Sequence, residues 1–377
     1  MILPQSDDEY FNIRSGLASF DRKLRNKPCK IAFLGNSVTA QREGFRKYLS
    51  ERIDQSFNKK NNFINAGIGG VGSLASAFLV DDFVLRYRPD ICFVECTVAD
   101  IGGATPDHYI ASSIEGIIQK LISNGTLICF LNLYNSHTTE DRIQSVISLY
   151  EKIAEHYQVP SINVNRAISL MIKKGAHKSK DIVYDGIHTT TLGGQITSDL
   201  IFSAFEAMSI HETPKDLPIA FKSKFGKPFR YTQLILTSPT LLEFPNLYKE
   251  GRFRGIIKFL QIEENNTLRL LSSEGSVVGV FIVADEESGV VFLETNSRSF
   301  YVQTYDQWCD KGRIQAIVLE EPCLKNTEFS ISFSARDEAN QGPNGKKNDF
   351  KKKGKSLKII GLMMVLEDEP KLKVRLW

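Results

Sequence analysis

Through the first 210 residues, short apolar runs alternate with stretches whose apolar positions recur at helical spacing. The runs occupy 30–34, 62–66, 90–96 and 126–131, with a weaker one at 160–164. Between them, Ile114, Ile117, Ile118, Leu121 and Ile122 fall at i, i+3, i+4, i+7 and i+8, which lines one face of a helix. Runs apolar at every position are buried on both faces. Separated by helices, they predict a three-layer α/β/α, flavodoxin-like parallel sheet covered on both sides.

The pattern changes after "HETPKDLP" at 211–218. From there "YTQLILT", "GSVVGVFIVA", "GVVFLET", "SFYVQTY", "RIQAIVLE", "FSISFSA" and "LKIIGLMMVLE" follow one another, separated by turn residues and without a helical stretch. At least seven β-type runs predict an all-β antiparallel sandwich or jelly roll. The expected division is therefore 1–213 for the α/β domain and 214–377 for the β-rich one. Within the second, 336–358 is polar and rich in lysine and glycine, and is expected to be a mobile basic loop.

Composition narrows the class of partner more than the fold. The chain has 377 residues, 42% hydrophobic and 24% charged, ordinary for a globular protein of about two domains. With 47 basic and 44 acidic residues, the net charge of +3 is a small imbalance that argues neither for nor against nucleic acid, and no nucleic-acid partner is expected. The lysine-rich loop lacks interleaved aromatics other than Phe350, so it reads as solvated. No apolar run reaches the roughly 18 residues of a membrane span. The segment "MILPQSDDEYFNIRSG" carries acidic residues where a signal peptide carries positive charge and an apolar core, so the expected location is cytoplasmic. Cys92, Cys96 and Cys129 lie in apolar runs and read as buried thiols. Neither a disulfide framework nor metal-ligand spacing is present, and no metal or cofactor is expected.

Candidate chemistry gathers at the ends of the predicted strands. In open parallel sheets, ligands bind outside the carboxyl ends of the strands. The first strand breaks at Gly-Asn-Ser and presents Ser37, as a nucleophile or as a helix N-cap. The second ends in "NAGIGGVGS" at 65–73, whose glycines let backbone N–H groups approach a ligand. The third ends in "VECTVAD", with Thr97 and with Asp100 as a helix-capping or turn residue. Later, "VYDGIHTTTLGGQ" places Asp185 and His188 three residues apart before the last helix of the domain. An imidazole can take the proton of a serine hydroxyl, and a nearby carboxylate can fix its tautomer and stabilise the imidazolium. His137, in "NLYNSHTTED", reads as a loop residue. Trp308 and Trp377 with Tyr301 and Tyr305 are either a sugar-stacking surface or core aromatics.

Taken in order, these blocks resemble the SGNH (GDSL-type) hydrolase family over residues 30 to about 205. "GNSVT" resembles its Gly-Asp-Ser block, "NAGIGG" its second block, "TVAD" stands in place of Gly-x-Asn-Asp, and "DGIH" matches Asp-x-x-His. The resemblance implies Ser37 as nucleophile, His188 and Asp185 as its partners, and the backbone N–H groups of Ser37 and Gly70 as oxyanion donors. Two positions depart from the pattern. Asn36 replaces the aspartate before the serine, and Ala99 stands where the family carries its oxyanion asparagine. A methyl group donates no hydrogen bond, so Thr97, Asn132 and Asn135, all at strand ends, are candidate replacements.

The resemblance further implies an acyl-ester hydrolase of acetylesterase type. Its expected substrate is an acylated small molecule, most specifically an O-acetylated carbohydrate. Two alternatives stay open: a carbohydrate O-acetyltransferase of polysaccharide biosynthesis, and a non-catalytic carbohydrate-binding protein whose oxyanion hole has decayed. The sequence does not set the oligomeric state.

Overall fold

The computed structural model describes residues 10–366 except 104, 213–221, 235–247, 253–255, 264–266, 272–274, 296–298, 305–311 and 335–355. The chain divides into two compact units, at Arg230 and Tyr231.

The first unit is built on a six-stranded sheet. Its strands are β1 (Phe11–Asn12), β2 (Lys30–Gly35), β3 (Asn62–Gly67), β4 (Ile91–Glu95), β5 (Leu127–Leu131) and β6 (Ser161–Ile162). Their order is β1-β6-β5-β4-β2-β3, and β2 to β6 run parallel. The N-terminal β1 adds an antiparallel edge, pairing Phe11 with Ile162. The helices are α1 (Ala18–Asn26), α2 (Ser37–Ala40), α3 (Phe45–Phe57), α4 (Ser73–Phe83), α5 (Thr97–Gly102), α6 (Asp107–Ser123), α7 (Glu140–Tyr157), α8 (Val164–Lys173), α9 (Ser179–Ile182) and α10 (Thr191–Ser209).

Every residue of β4 is buried, as the apolar run Ile91–Val94 predicts, and alternate residues go to opposite layers. Ile31, Phe33, Ile91, Phe93 and Leu131 share a core with Phe20, Phe45, Leu49, Ile168 and Leu200 from α1, α3, α8 and α10. Phe130, on the other face, meets Tyr150 of α7 ring to edge at 5.7 Å. Phe33 stacks on Phe93 at 5.4 Å in the middle of the first layer. Strand β2 has β3 on one side and β4 on the other, so the strand order reverses there. That reversal is where a parallel sheet opens a crevice, and Ser37 follows β2 directly.

The first unit extends past the boundary of 213 expected from sequence, because residues 222–230 return to α6. Buried Glu115 accepts from Ser223 Oγ (2.7 Å), the Lys224 amide (2.9 Å) and the Tyr157 hydroxyl (3.0 Å). The Phe229 amide donates to the Ser112 carbonyl, and its ring lies between Phe78 and Tyr109.

The second unit is antiparallel throughout. Its strands are β7 (Thr232–Leu234), β8 (Tyr248–Arg252), β9 (Ile256–Glu263), β10 (Thr267–Leu271), β11 (Ser276–Ala284), β12 (Val290–Thr295), β13 (Ser299–Gln303), β14 (Arg313–Cys323), β15 (Glu328–Ser334) and β16 (Ser356–Val365). One sheet runs β10-β15-β12-β13. The other runs β14-β11-β16-β9-β8, with β7 also paired to β16. Phe329, Ile331 and Phe333 alternate inward from β15 and join Val280, Ile282, Ile317 and Ile359 of the other sheet in one core, which makes a sandwich. The expected basic loop at 336–358 ends earlier than predicted, since Ser356–Lys358 open β16; residues 336–355 lie outside the described residues, as do Tyr305, Trp308 and Trp377. Cys92, Cys96 and Cys129 are buried free thiols, and among the described residues no helix is long and apolar enough to cross a membrane.

Phe229 is 6% exposed. Phe229→Ala is therefore expected to lower the unfolding free energy of the full chain by about 3 kcal/mol, the scale for emptying an aromatic core site. Urea unfolding measures it, and an unchanged midpoint would place the 222–230 segment outside the first unit's core.

Candidate active site

Strand β2 ends at Gly35, and Asn36 caps the short helix that follows. The Asn36 side chain accepts from the Val38 amide at 2.9 Å. The capping role thus belongs to Asn36, and the Ser37 hydroxyl is left to another partner. That partner is His188, whose Nε2 lies 2.8 Å from Ser37 Oγ. On the far side of the ring, Nδ1 lies 2.6 Å from Asp185 Oδ2. With the ring proton on Nδ1, facing the carboxylate, Nε2 accepts from the serine hydroxyl.

The Asp185–His188 segment is itself a tight turn. Asp185 Oδ1 accepts from the Ile187 and His188 amides at 3.0 and 2.7 Å, while the Tyr184 amide donates to the His188 carbonyl. Partial burial pushes the Asp185 carboxyl up, but the His188 ring and these two amides outweigh it and hold it below its ordinary value. Gln41, one turn beyond Ser37, ties the two loops together. Its side chain donates to the Thr189 carbonyl (2.7 Å) and accepts from the Thr189 amide and hydroxyl.

The glycine loop adjoins the serine. Gly70 has φ +79°, which favours glycine, and a Cβ on Gly69 would stand 3.8 Å from that of Ser37. Asp100 anchors this loop, accepting from the Ser73 amide at 2.9 Å and the Tyr150 hydroxyl at 2.6 Å. It approaches so closely that a Cβ on Gly72 would collide with its carboxylate. Asp100 thus acts on the backbone of the loop, and burial raises its pKa to about 6.

The three candidate replacements for Ala99 differ. Thr97 donates to the Leu131 carbonyl at 3.5 Å, and Asn132 directs its amide to Glu151 at 2.9 Å. Asn135 is buried, accepts from the His137 amide, and leaves its Nδ2 without a partner among the described residues. Its loop rests on the Asp185–His188 turn: the Ser136 amide donates to the Gly186 carbonyl at 2.9 Å, and His137 fills the space beside Gly186.

Three contributors escape sequence reasoning. Gln41 has no sequence signal. Tyr184 is 65% exposed and stacks on His188 with centroids 5.8 Å apart, and only its adjacency to Asp185 hinted at it. Glu95 is 1% exposed and was visible as an acid closing an otherwise apolar run. It accepts from Asn36 Nδ2 at 3.0 Å and Thr39 Oγ1 at 2.9 Å, and burial pushes its pKa up to about 8. Among the described residues, no cluster of His, Cys, Asp and Glu could hold a metal ion.

Residues 33–196 match the GDSL-like Lipase/Acylhydrolase family. The match spans less than half of the chain. No curated protein matches the chain in sequence. Among solved structures, the chain is similar to a two-domain esterase, CEX, active on acetylated mannans and co-crystallized with mannopentaose. That likeness has a TM-score of 0.71 at 15% identity and covers 96% of this chain and 100% of the other. A second structure of CEX gives the same TM-score and coverage at 14% identity. At such identities the likeness is one of fold, and it extends over both the α/β unit and the β-sandwich.

Glu95 and Asp100 give the domain a signed pH dependence. Each carboxyl has a folded pKa above its ordinary value, 4.5 rising to about 8 and 3.8 rising to about 6. Inside each window the folded chain holds a proton that the unfolded chain has released, so stability falls as pH rises. Between pH 6 and 8 the slope from Glu95 reaches at most about 1.4 kcal/mol per pH unit. Glu95→Gln is expected to flatten that slope in urea unfolding; an unchanged slope would mean that Glu95 is ionised throughout.

Proposed function

We propose that the chain is a serine acyl-ester hydrolase that removes acetyl groups from an O-acetylated carbohydrate through an acyl-serine intermediate. The observation that carries the reading is the Ser37–His188–Asp185 geometry, 2.8 Å and 2.6 Å end to end. His188 takes the Ser37 proton as Oγ adds to the ester carbonyl, and Asp185 steadies the imidazolium. The oxyanion is held by the Ser37 and Gly70 amides and by Asn135 Nδ2, the buried donor left without a partner. As the intermediate collapses, the C–O bond to the sugar breaks and the sugar oxygen takes the proton from His188. Water, deprotonated by the same imidazole, then adds to the acyl carbon; the C–Oγ bond breaks, Ser37 Oγ takes the proton back from His188, and acetate leaves.

Support for a carbohydrate substrate is the two-domain likeness to the mannan esterase, together with Tyr184, an exposed ring at the imidazole that suits stacking on a sugar. Ala99 favours the non-catalytic reading, but an unpartnered buried amide in Asn135 is what a relocated oxyanion donor requires.

Purified protein is expected to hydrolyse a short aryl acetate and to be labelled at Ser37 by a fluorophosphonate. Ser37→Ala is expected to lower kcat by at least about 10³-fold. Failure of the wild-type protein both to label and to hydrolyse would transfer the case to the non-catalytic reading. Asn135→Ala is expected to lower kcat by about 10²–10³ with KM little changed, since the charge it meets exists only in the transition state. A variant as fast as wild type would return the missing donor to Thr97 or to the two backbone amides alone.

A further inference from the structure

We propose that Asn36 and Glu95 form one matched pair that sets the turn carrying Ser37, so that the asparagine before the nucleophile and the buried acid on the neighbouring strand are halves of a single device. Both are positioning residues, acting through the backbone of the serine turn. The activity arm of the proposal rests on the acyl-serine reading above; its stability arm does not.

Asn36 and Glu95 are each 1% exposed, and Thr39 is fully buried beside them. Glu95 lies next to Gly35 in the register of β2 and β4, so its carboxyl sits under the turn. The Asn36 amide group is used at both ends. Its Nδ2 donates to Glu95 Oε1 at 3.0 Å, and its Oδ1 accepts from the Val38 amide at 2.9 Å, closing the turn around Ser37. The second Glu95 oxygen takes the Thr39 hydroxyl at 2.9 Å, from the last turn of the same short helix, and the Val98 amide approaches Oε1 at 3.4 Å. The carboxyl therefore grips the serine helix at both ends and links it to the start of α5. A side chain at Gly35 would collide with the Glu95 carbonyl and the Thr39 hydroxyl, so the close approach of β2, β4 and the serine helix requires a glycine there.

An aspartate at 36 could still accept from the Val38 amide but would have no N–H to give Glu95, so the 3.0 Å contact would hold only with a proton shared between the two carboxyls. It would also set a second carboxylate about 3 Å from Glu95, where no cation pairs with Glu95 among the described residues. Two carboxylates so close in a dry site do not both ionise. The asparagine thus follows from the glutamate. If Glu95 merely filled space, the two positions would tolerate changes independently.

The test is a donor–acceptor swap in the full chain: Asn36→Asp, Glu95→Gln and the double variant. It is read by kinetics on an aryl acetate, by the rate of fluorophosphonate labelling at Ser37, and by melting temperature. Asn36→Asp is expected to lose at least about tenfold in kcat at pH 7 with KM within about twofold. The double variant is expected to recover most of that loss, because the glutamine amide introduced at 95 donates to the carboxylate introduced at 36. Its melting temperature should exceed that of Asn36→Asp. Losses that simply add in kcat, labelling and melting temperature would overturn the proposal. If Asn36→Asp does not fold, a folded double variant supports the pairing and an unfolded one overturns it. If the wild-type protein proves inactive on every ester, the acyl-serine reading fails, and the melting-temperature cycle alone still decides the pairing.

Discussion

The hydrogen bond between Ser37 and His188 joins residues 151 positions apart, and it exists because β2 and the turn before α10 both reach the carboxyl edge of one parallel sheet. A parallel sheet sends every strand-to-helix loop to that edge. Reversal of strand order beside β2 then opens a crevice at the loop that bears the serine. The buried aromatic layer around Phe33 and Phe93 packs β2 against β4 beneath the edge from which the serine leaves. Everything else at the site refines a meeting that topology has already arranged.

That refinement is made by short polar knots set into apolar surroundings. Glu95 holds the serine turn, Asp100 holds the glycine loop, and Gln41 joins the serine turn to the histidine turn. Each knot acts on backbone or capping groups and leaves the Ser37 hydroxyl to the imidazole. Burial makes these groups effective, because a half-satisfied polar group in a dry interior is costly, and the loops are confined to arrangements that satisfy all of them. The same burial raises the carboxyl pKa values, which links the mechanics of the site to pH.

The departure at Ala99 draws attention to the asparagines of the neighbouring loop. Strands β4 and β5 are neighbours, so their following loops lie side by side at the rim. Asn132 and Asn135 both occur on the second of these loops, yet Glu151 takes the amide of one and leaves that of the other unpartnered. In sequence the two asparagines are equivalent; in three dimensions the position of one acidic side chain on α7 separates them.

By itself, the sequence determined the alternation of buried strands and helices, the change to antiparallel β structure, and the order of the Ser37, Gly70 and Asp185–His188 blocks. These are local properties: periodicity is read within about ten residues, and Asp185 reaches His188 within one turn. Only the tertiary structure decided that residues 222–230 belong with α6, that Asn36 rather than Ser37 caps its helix, and that Glu95 lies beneath the serine. Asn36 and Glu95 are 59 positions apart, and Ser223 and Glu115 are 108 apart. A hydrogen bond depends on distances of a few tenths of an ångström between groups that sequence cannot bring together, so which polar residue meets which was settled by the packing of the sheet.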